Sequence, residues 1–274
     1  MIKQGPIGIF DSGYGGLTVF KEIVQRLPQY DYVYLGDNAR VPYGIRSFET
    51  VYRYTWECVQ RLFELDCNLV VLACNTASAK ALRTIQQNDL PHYDPDRRVL
   101  GVIRPTAEVI GKYTQTGKVG ILATQGTVSS ESYVIEINKF FPDVAVYQEA
   151  CPLWVPLVEN NEFHTPGAAY FIKKDLDSLF AKSPDIDCVV LACTHYPLLA
   201  DIIRKFLPEG VRLISQGELV ADSLAEYLDR HTTLRDFCSL GGRRAFYTTG
   251  AVLDFDEKAS LFLGSEVQSS QLLL

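Results

Sequence analysis

Two cysteines in this 274-residue chain follow apolar segments of nearly the same sequence. Residues 69–76 read LVVLACNT and residues 188–195 read CVVLACTH, so Cys74 and Cys193 each stand after an alanine and before two polar residues. A thiol titrates near pH ~8.5, and a modest change of environment makes it a thiolate or keeps it protonated. Two thiols facing each other across a small ligand can therefore form a redox pair, or exchange a proton with opposite faces of one carbon.

Other polar residues also follow short apolar runs that have the composition of buried strands. In open α/β sheets, ligands bind beside the carboxyl ends of the strands. The polar or glycine residues expected at such ends are Asp11, Ser12, Gly13, Gly15 and Gly16; Gly36, Asp37 and Asn38, with Pro42, Tyr43 and Gly44 in the same loop; Asn75 and Thr76; Thr124 and Thr127; and Thr194 and His195. Helix N-termini and polar side chains gathered there would bind carboxylates or phosphates.

Several familiar kinds of site do not fit the spacing. The dinucleotide-binding pattern Gly-x-Gly-x-x-Gly fails because Thr18 stands where the third glycine is needed, and no phosphate-binding lysine motif is present. Four histidines without a Cys-x-x-Cys or His-x-x-x-His pair argue against a metal site. Serine hydrolases carry Gly-x-Ser-x-Gly, which this chain lacks. No lysine stands in a setting typical of pyridoxal phosphate enzymes, so we expect neither a metal nor a cofactor.

The composition is typical of a soluble globular protein that is large enough for its own core. Hydrophobic residues make up 47 % of the chain, and 26 basic against 33 acidic residues give a net charge of −7. Nucleic acid and anionic membranes are therefore not expected partners. No apolar stretch is long enough for a membrane helix, and the first residues do not resemble a signal peptide. Seven cysteines without framework spacing predict free thiols and a cytoplasmic location.

Short β-branched runs alternate with amphipathic segments along most of the chain. This alternation predicts a doubly wound α/β fold, in which a mostly parallel sheet is covered by helices. The expected strands are residues 7–10, 32–35, 69–73, 99–103, 119–123, 144–147, 188–192 and 211–214. Residues 47–64 have helical spacing, and another helix is expected to begin after Thr165 as its N-cap.

An internal repeat predicts two α/β halves of like construction. The cysteine segments repeat most clearly, and residues 7–10 resemble residues 119–122 more weakly. We expect a first domain of residues 1–97 plus 210–274 and a second of residues 98–209, with the site in the cleft between them. Residues 88–98 are polar, contain two prolines and read as a loop, and the tail 265–274 looks loosely ordered.

A set of motifs in this order resembles the bacterial glutamate racemases of the aspartate/glutamate racemase superfamily. The motifs are residues 9–16 (IFDSGYGG), 36–44 (GDNARVPYG), 73–77 (ACNTA), 101–103 (GVI), 151–159 (CPLWVPLVE) and 192–198 (ACTHYPL), and the likeness extends over residues 7–222. The resemblance implies a cofactor-independent enzyme that interconverts L- and D-glutamate, with its site between two α/β domains. It also implies a supply of D-glutamate for peptidoglycan, and a homodimer.

The resemblance further implies roles for individual residues. Cys74 and Cys193 match the two proton donors and acceptors, the first associated with the D-isomer and the second with the L-isomer. Asp11 and His195 match the residues that assist the first and the second thiol, and Glu159 matches an acidic residue proposed as a further helper. The residues that match substrate-binding positions are Asp11, Ser12, Pro42, Tyr43, Gly44, Asn75, Thr76, Thr194 and His195.

Alternatives to these assignments stay open at the level of sequence. The same chemistry could serve aspartate or another amino acid, the thiols could belong to a thiol–disulfide oxidoreductase, and the chain could bind amino acids without activity. Asp11 could cap the helix expected near Leu17, His195 could be a hydrogen-bonded core residue, and Glu159 could be an exposed loop acid. The other five cysteines are expected to pack as small apolar residues.

Overall fold

The computed structural model describes residues 3–274, whose strands form two separate sheets. The strands are β1 (Ile7–Asp11), β2 (Tyr32–Gly36), β3 (Leu69–Leu72), β4 (Arg98–Gly101), β5 (Lys118–Ala123), β6 (Ala145–Ala150), β7 (Cys188–Ala192), β8 (Arg212–Ile214), β9 (Arg244–Thr248) and β10 (Ser269–Gln271). The first sheet has the order β10-β9-β2-β1-β3-β4 and the second the order β6-β5-β7-β8. All strand pairs in both sheets are parallel.

The two sheets share one strand order over four strands. The run β2-β1-β3-β4 of the first corresponds to β6-β5-β7-β8 of the second, so β1 matches β5 and β3 matches β7. Both sequence repeats follow this correspondence, because residues 7–10 lie in β1 and residues 119–122 in β5, while Cys74 and Cys193 come shortly after β3 and β7. The prediction of two α/β halves of like construction is confirmed, with β9 and β10 extending the first sheet.

Helices cover both faces of each sheet. The helices are α1 (Leu17–Arg26), α2 (Phe48–Glu64), α3 (Asn75–Lys80), α4 (Leu82–Thr84), α5 (Leu90–Tyr93), α6 (Ile103–Ala107), α7 (Gln125–Ser129), α8 (Ser132–Phe140), α9 (Trp154–Glu159), α10 (Pro166–Lys182), α11 (Ala200–Phe206), α12 (Gly217–Arg230), α13 (Thr232–Asp236) and α14 (Val252–Leu263). In β1, Ile9 and Phe10 pack into different hydrophobic clusters on opposite faces, and in β7 Val189 and Val190 do the same. Across residues 3–274, no helix is long and apolar enough to span a bilayer.

Two helices begin where the sequence predicts them. The side chain of Ser47 accepts a hydrogen bond from the backbone N–H of Thr50 and caps α2, which runs to Glu64. Thr165 caps α10 in the same way by accepting from Ala168, and Pro166 occupies the first turn, where its missing N–H costs no helical bond.

The chain changes from one sheet to the other later than the sequence suggests. Strand β4 pairs with β3 in the first sheet, and β8 pairs with β7 in the second. Boundaries at residues 97/98 and 209/210 would place both strands in the wrong half, because they follow the polar stretches rather than the strand ends. We propose crossings after Gly101 and Ile214, which give domains of residues 3–101 plus 215–274 and of residues 102–214. The strand expected at 99–103 correspondingly ends at Gly101, and Ile103 begins α6.

Two segments expected to be irregular are ordered. Residues 85–89 form one turn of π-helix and α5 follows, so the expected loop at 88–98 is helical over its first half. Pro91 lies in the first turn of α5, where proline is tolerated, and Tyr93 packs against Phe63 with ring centroids 5.6 Å apart. At the C-terminus, β10 pairs with β9 and Leu272 is buried, so the tail is part of the first sheet.

Candidate active site

Asp11, the last residue of β1, is buried at the head of a glycine-rich loop. Its Oδ2 accepts a hydrogen bond of 2.9 Å from the backbone N–H of Gly13. Helix α1 begins at Leu17 with Gly16 as N-cap and no side-chain cap, so the alternative that Asp11 caps this helix is wrong. Burial raises the pKa of Asp11, opposed by the nearby charge of His195 and by the loop N–H groups.

Glycine at position 15 allows this loop to touch the second half of the chain. A Cβ atom on Gly15 would lie 2.4 Å from Nδ1 of His195 and 2.4 Å from Oγ1 of Thr194, closer than any Cβ contact in real proteins. The hydroxyl of Thr18, one turn further on, donates to the backbone oxygen of Thr194 at 2.9 Å. The loop after β1 therefore packs its backbone directly on the residues that follow Cys193.

Cys74 is buried at the N-terminus of α3 and takes the N-cap position. Its sulfur accepts from the backbone N–H of Ala77 at 3.4 Å and donates to the hydroxyl of Ser12 at 3.5 Å. Burial, reinforced by the charge of Asp11, raises the pKa of Cys74 to about 12, and the hydrogen bonds to Ser12 and Ala77 offset this only in part. The thiol of Cys74 is accordingly protonated at neutral pH and suited to give a proton.

Cys193 stands in a different environment, beside an imidazole that is paired with a carboxylate. His195 is buried and its Nε2 lies 3.0 Å from Oε1 of Glu159. Burial by itself lowers the pKa of His195, but its interactions with the nearby Cys193 and with Glu159 outweigh burial and raise the pKa to about 10. The ring of His195 is accordingly protonated at neutral pH and carries a positive charge close to Cys193.

Glu159 is fixed by the fold rather than exposed on a loop. It is the last residue of α9, and only 21 % of its side-chain surface is exposed to solvent. The carboxylate lies against His195 and near the glycine loop at Gly13. On the other side of the imidazole, the ring of Phe262 from α14 meets it edge to face with centroids 5.4 Å apart. His195 is thus held between a carboxylate and an aromatic ring, which favours one orientation for proton exchange.

The structure brings the two cysteine segments into one site. The hydroxyl of Thr194 lies 3.5 Å from Oδ1 of Asp11, which joins the loop after β7 to the loop after β1. Cys193 is also close enough to Cys74 to contribute to the raised pKa of Cys74. Asp11, Cys74, Cys193 and His195 therefore lie together where the two halves meet, and both thiols are almost fully buried.

The loop of residues 42–44 lies on another side of the candidate site. Its only hydroxyl, that of Tyr43, is already hydrogen-bonded, so the polar groups that it offers to a ligand are backbone groups. Tyr43 is buried and donates its phenolic hydrogen to Oδ2 of Asp37, so that group is already engaged. The backbone oxygen of Gly44 accepts a 2.8 Å hydrogen bond from the N–H of Gly126 in the second half. Pro42 precedes them after a cis peptide bond. Polar contact from Pro42, Tyr43 and Gly44 to a ligand would therefore come from their backbone.

Thr76 and Asn75 occupy the first turn of α3, directly after Cys74. The hydroxyl of Thr76 lies 2.9 Å from that of Thr124 and 3.5 Å from that of Thr127, so three hydroxyls meet at the cleft. The side chain of Asn75 is directed elsewhere, into a buried network with Tyr133 and Gln216. Tyr133 lies within a helix, and Gln216 comes two residues after the strand expected at 211–214, a position that could have marked it as a polar residue at a strand end.

The remaining cysteines serve as packing residues, as the sequence predicts. All seven cysteines are free, and the five outside the site lie in the hydrophobic clusters: Cys58, Cys67, Cys151, Cys188 and Cys238. Burial raises the pKa of Cys188 and of Cys238 to about 12. Between residues 3 and 274 there is no cluster of three or more His, Cys, Asp or Glu side chains arranged for a metal ion.

The shared strand order and the paired thiols define a two-domain α/β protein whose site is assembled from equivalent strand ends of both halves. The chain belongs to the Asp/Glu/Hydantoin racemase family, whose profile matches residues 7–224. It is 40 % identical to a glutamate racemase of Roseobacter denitrificans over 96 % of this chain and 98 % of that protein. The crystal structure of glutamate racemase isoform RacE1 from Bacillus anthracis superposes with a TM-score of 0.89 at 36 % identity, covering 99 % and 98 % of the two chains. Glutamate racemase from Francisella tularensis, solved in complex with D-glutamate, gives a TM-score of 0.86 at 30 % identity, covering 99 % and 97 %.

Proposed function

We propose that this chain is a cofactor-independent glutamate racemase that moves protons with two cysteines. The observation that carries the proposal is the pair of buried thiols that follow the equivalent strands β3 and β7, with the His195–Glu159 pair on the Cys193 side. Cys74 is held as a thiol by burial and by Asp11, whereas Cys193 adjoins a strongly basic imidazole. An acid and a base facing one ligand are what a reversible inversion at one carbon requires.

The proposed reaction from L-glutamate uses each thiol once. The Cys193 thiolate takes the α-proton, and the electron pair of the C–H bond stays on the α-carbon. The Cys74 thiol then delivers its proton to the opposite face, which yields D-glutamate and leaves Cys74 as thiolate and Cys193 as thiol. From L-glutamate, His195 holds the original proton of Cys193 throughout; from D-glutamate, His195 returns that proton to Cys193 and Asp11 takes the proton of Cys74. After the product leaves, the thiol that gained the substrate proton loses it and the other thiol regains one, by exchange with solvent. The reverse reaction runs through the same steps in the opposite order.

Substrate binding is assigned to the polar groups that line the cleft. We propose that the carboxylates and the ammonium of glutamate are held by Ser12, by the backbone of residues 42–44, and by residues 75–76 and 194–195. The hydroxyl cluster of Thr76 and Thr124 supports this assignment, because buried donors stabilise the negative charge that develops when the α-proton leaves. The side chain of Asn75 is engaged, so this residue acts through its backbone N–H.

The similarity to glutamate racemases and the free cysteines support a proposal for the biological setting. We propose that the product D-glutamate supplies peptidoglycan synthesis, and that the enzyme works as a homodimer in the cytoplasm. Seven free thiols support a reducing compartment. Sedimentation equilibrium of the purified protein tests the dimer, and a monomer at all concentrations would contradict it.

The activity itself is tested with the purified protein and no added cofactor. L-glutamate incubated in D₂O should acquire deuterium at the α-carbon and approach an equal mixture of enantiomers, followed by circular dichroism and proton NMR. Inversion of aspartate in preference to glutamate would replace the substrate assignment but keep the chemistry. A folded sample that exchanges no α-proton of either acid would overturn the proposal. Activity that requires oxidant and disappears in strong reductant would instead favour thiol–disulfide exchange.

A further inference from the structure

Three buried side chains close a ring of hydrogen bonds that includes Asn75, the residue directly after Cys74. The amide nitrogen of Gln216 donates to the hydroxyl of Tyr133 at 2.6 Å, and that hydroxyl donates to Oδ1 of Asn75 at 2.6 Å. The amide of Asn75 donates back to Oε1 of Gln216 at 2.8 Å. Each group therefore gives one hydrogen bond and accepts one, and all three side chains are almost fully buried.

The ring joins parts of the chain that belong to both halves. Asn75 directly follows Cys74 and opens α3, Tyr133 lies on α8 against the second sheet, and Gln216 follows β8 where the chain returns to the first sheet. The amide of Gln216 also reaches Oγ1 of Thr106 at 2.9 Å and the backbone oxygen of Val102 at 3.2 Å. The two segments that connect the sheets, near Val102 and near Gln216, are thus hydrogen-bonded to each other, and Gln216 is in turn hydrogen-bonded to Asn75.

Such a ring is sensitive to the loss of a single member. Burial keeps Tyr133 neutral by raising its pKa, so its hydroxyl can both donate and accept. Removing this hydroxyl leaves Oδ1 of Asn75 without its partner in a buried site, and an unpaired buried polar group is costly. The two amide hydrogens of Gln216 keep Thr106 and Val102 as acceptors. The first turn of α3 would then shift to regain a partner.

We propose that Tyr133 and Gln216 are positioning residues for the Cys74 proton transfer, because they fix Asn75, and with it the N-terminus of α3, relative to the second half of the protein. The proposal rests on the proposed racemase activity. Neither residue touches the reacting atoms, so both act through Asn75. The expected signature is a larger defect in the step that uses Cys74 than in the step that uses Cys193.

The test compares two variants that delete the same chemical group. Tyr133→Phe removes the hydroxyl of the ring, and Tyr32→Phe removes an equally buried hydroxyl that donates at 2.7 Å to the backbone oxygen of Leu27, away from the site. We expect Tyr133→Phe to lower kcat/KM about tenfold, whereas Tyr32→Phe stays within about twofold of the wild type. The loss must be equal in the two directions, since the equilibrium constant of a racemisation is one.

Kinetic isotope effects identify which thiol is affected. The effects on kcat/KM are measured with L- and D-glutamate deuterated at the α-carbon. In Tyr133→Phe, proton transfer with Cys74 becomes the slowest step. The effect measured from D-glutamate therefore rises, and the effect from L-glutamate falls toward its equilibrium value. Tyr32→Phe keeps the wild-type pair of effects.

Thr106→Val supplies a milder second variant that keeps the ring but removes one acceptor of the Gln216 amide. We expect a smaller loss of kcat/KM with isotope effects that change in the same sense as in Tyr133→Phe. Equal behaviour of Tyr133→Phe and Tyr32→Phe, or a rise in the effect from L-glutamate, would overturn the positioning role alone. A wild-type protein without racemase activity would overturn the proposed function, and the positioning role with it.

Discussion

Replacing Glu159 by glutamine tests the physical basis of the Cys193 arm. The substitution keeps the size of the side chain and its contact with Nε2 of His195, which is 3.0 Å in the wild type, but removes the negative charge. A hydrogen bond to a charged partner is worth about 1.5 kcal/mol more than a neutral one, which corresponds to about one pKa unit. We therefore expect the pKa of His195 to fall from about 10 to roughly 9.

The imidazole can be followed directly by NMR of protein labelled with ¹⁵N-histidine. The other three histidines, His92, His164 and His231, are exposed, so a His195→Asn variant suffices to assign the one buried ring. In the wild type the ring of His195 should stay protonated through neutral pH, and Glu159→Gln should move its midpoint downward. The matched control is Glu162→Gln, which removes an exposed carboxylate three residues away.

Activity and stability should follow the same change. A loss of one pKa unit makes the thiolate–imidazolium pair about tenfold less favourable, so kcat/KM should fall about tenfold in both directions. The pKa of His195 in the fold is raised above its usual 6.5, so its protonation stabilises the fold fully below pH 6.5, and that contribution is lost as pH rises through 10. The stability difference between wild type and variant should stay constant up to about pH 9 and disappear above about pH 10. A wild-type ring that titrates near 6.5, or a midpoint unchanged by Glu159→Gln, would refute the reasoning.

Three further predictions concern the thiols and the glycine loop. Cys74→Ser and Cys193→Ser should each lower kcat/KM by about 10³-fold or more in a circular dichroism assay, because a serine hydroxyl is a far weaker acid than a cysteine thiol. A variant that retains a tenth of the activity would contradict the two-thiol mechanism. The rate of alkylation of Cys74 by iodoacetamide, measured by peptide mass spectrometry, should still increase with pH above about pH 9, because the pKa of Cys74 is about 12. A rate that levels off below about pH 9 would contradict the assigned protonation. Gly15→Ala should abolish activity, because its Cβ would overlap Thr194 and His195. Gly167→Ala, whose nearest neighbour would be 3.7 Å away, should not change activity, and similar rates for the two variants would show that the contact is unimportant.

The sequence could predict that Cys74, Asp11 and Cys193 lie near one another, because each stands at the end of an apolar run with the composition of a buried strand. Parallel sheets bring such ends together. The repeat between residues 69–76 and 188–195 also carried information about topology, since it marks the equivalent strands β3 and β7. These features depend on local sequence and on the geometry shared by all parallel sheets.

Features that depend on contact between distant residues were beyond such reasoning. The stretch 88–98 looked like a loop because of its prolines, yet Tyr93 packs on Phe63 and α5 forms there. Glu159 contacts His195 only because α9 ends beside the loop after β7. That packing depends on the tertiary structure and cannot be read from the residues between positions 159 and 195. Asn75 was expected to hold substrate, but only the fold shows that its side chain is engaged with Tyr133 and Gln216.

The arrangement of the first sheet has a consequence for how the chain is made. The second sheet is built from the continuous segment 118–214. In the first sheet, β2 pairs with β9, so Tyr32 can pair with Arg244 only after residue 244 has been synthesised. During synthesis the second half can therefore complete its sheet while the edge of β2 is still unpaired, and an unpaired parallel edge invites association with other chains. Truncation before β9 would fix the protein in that intermediate, with both cysteine segments present and the first sheet open along β2.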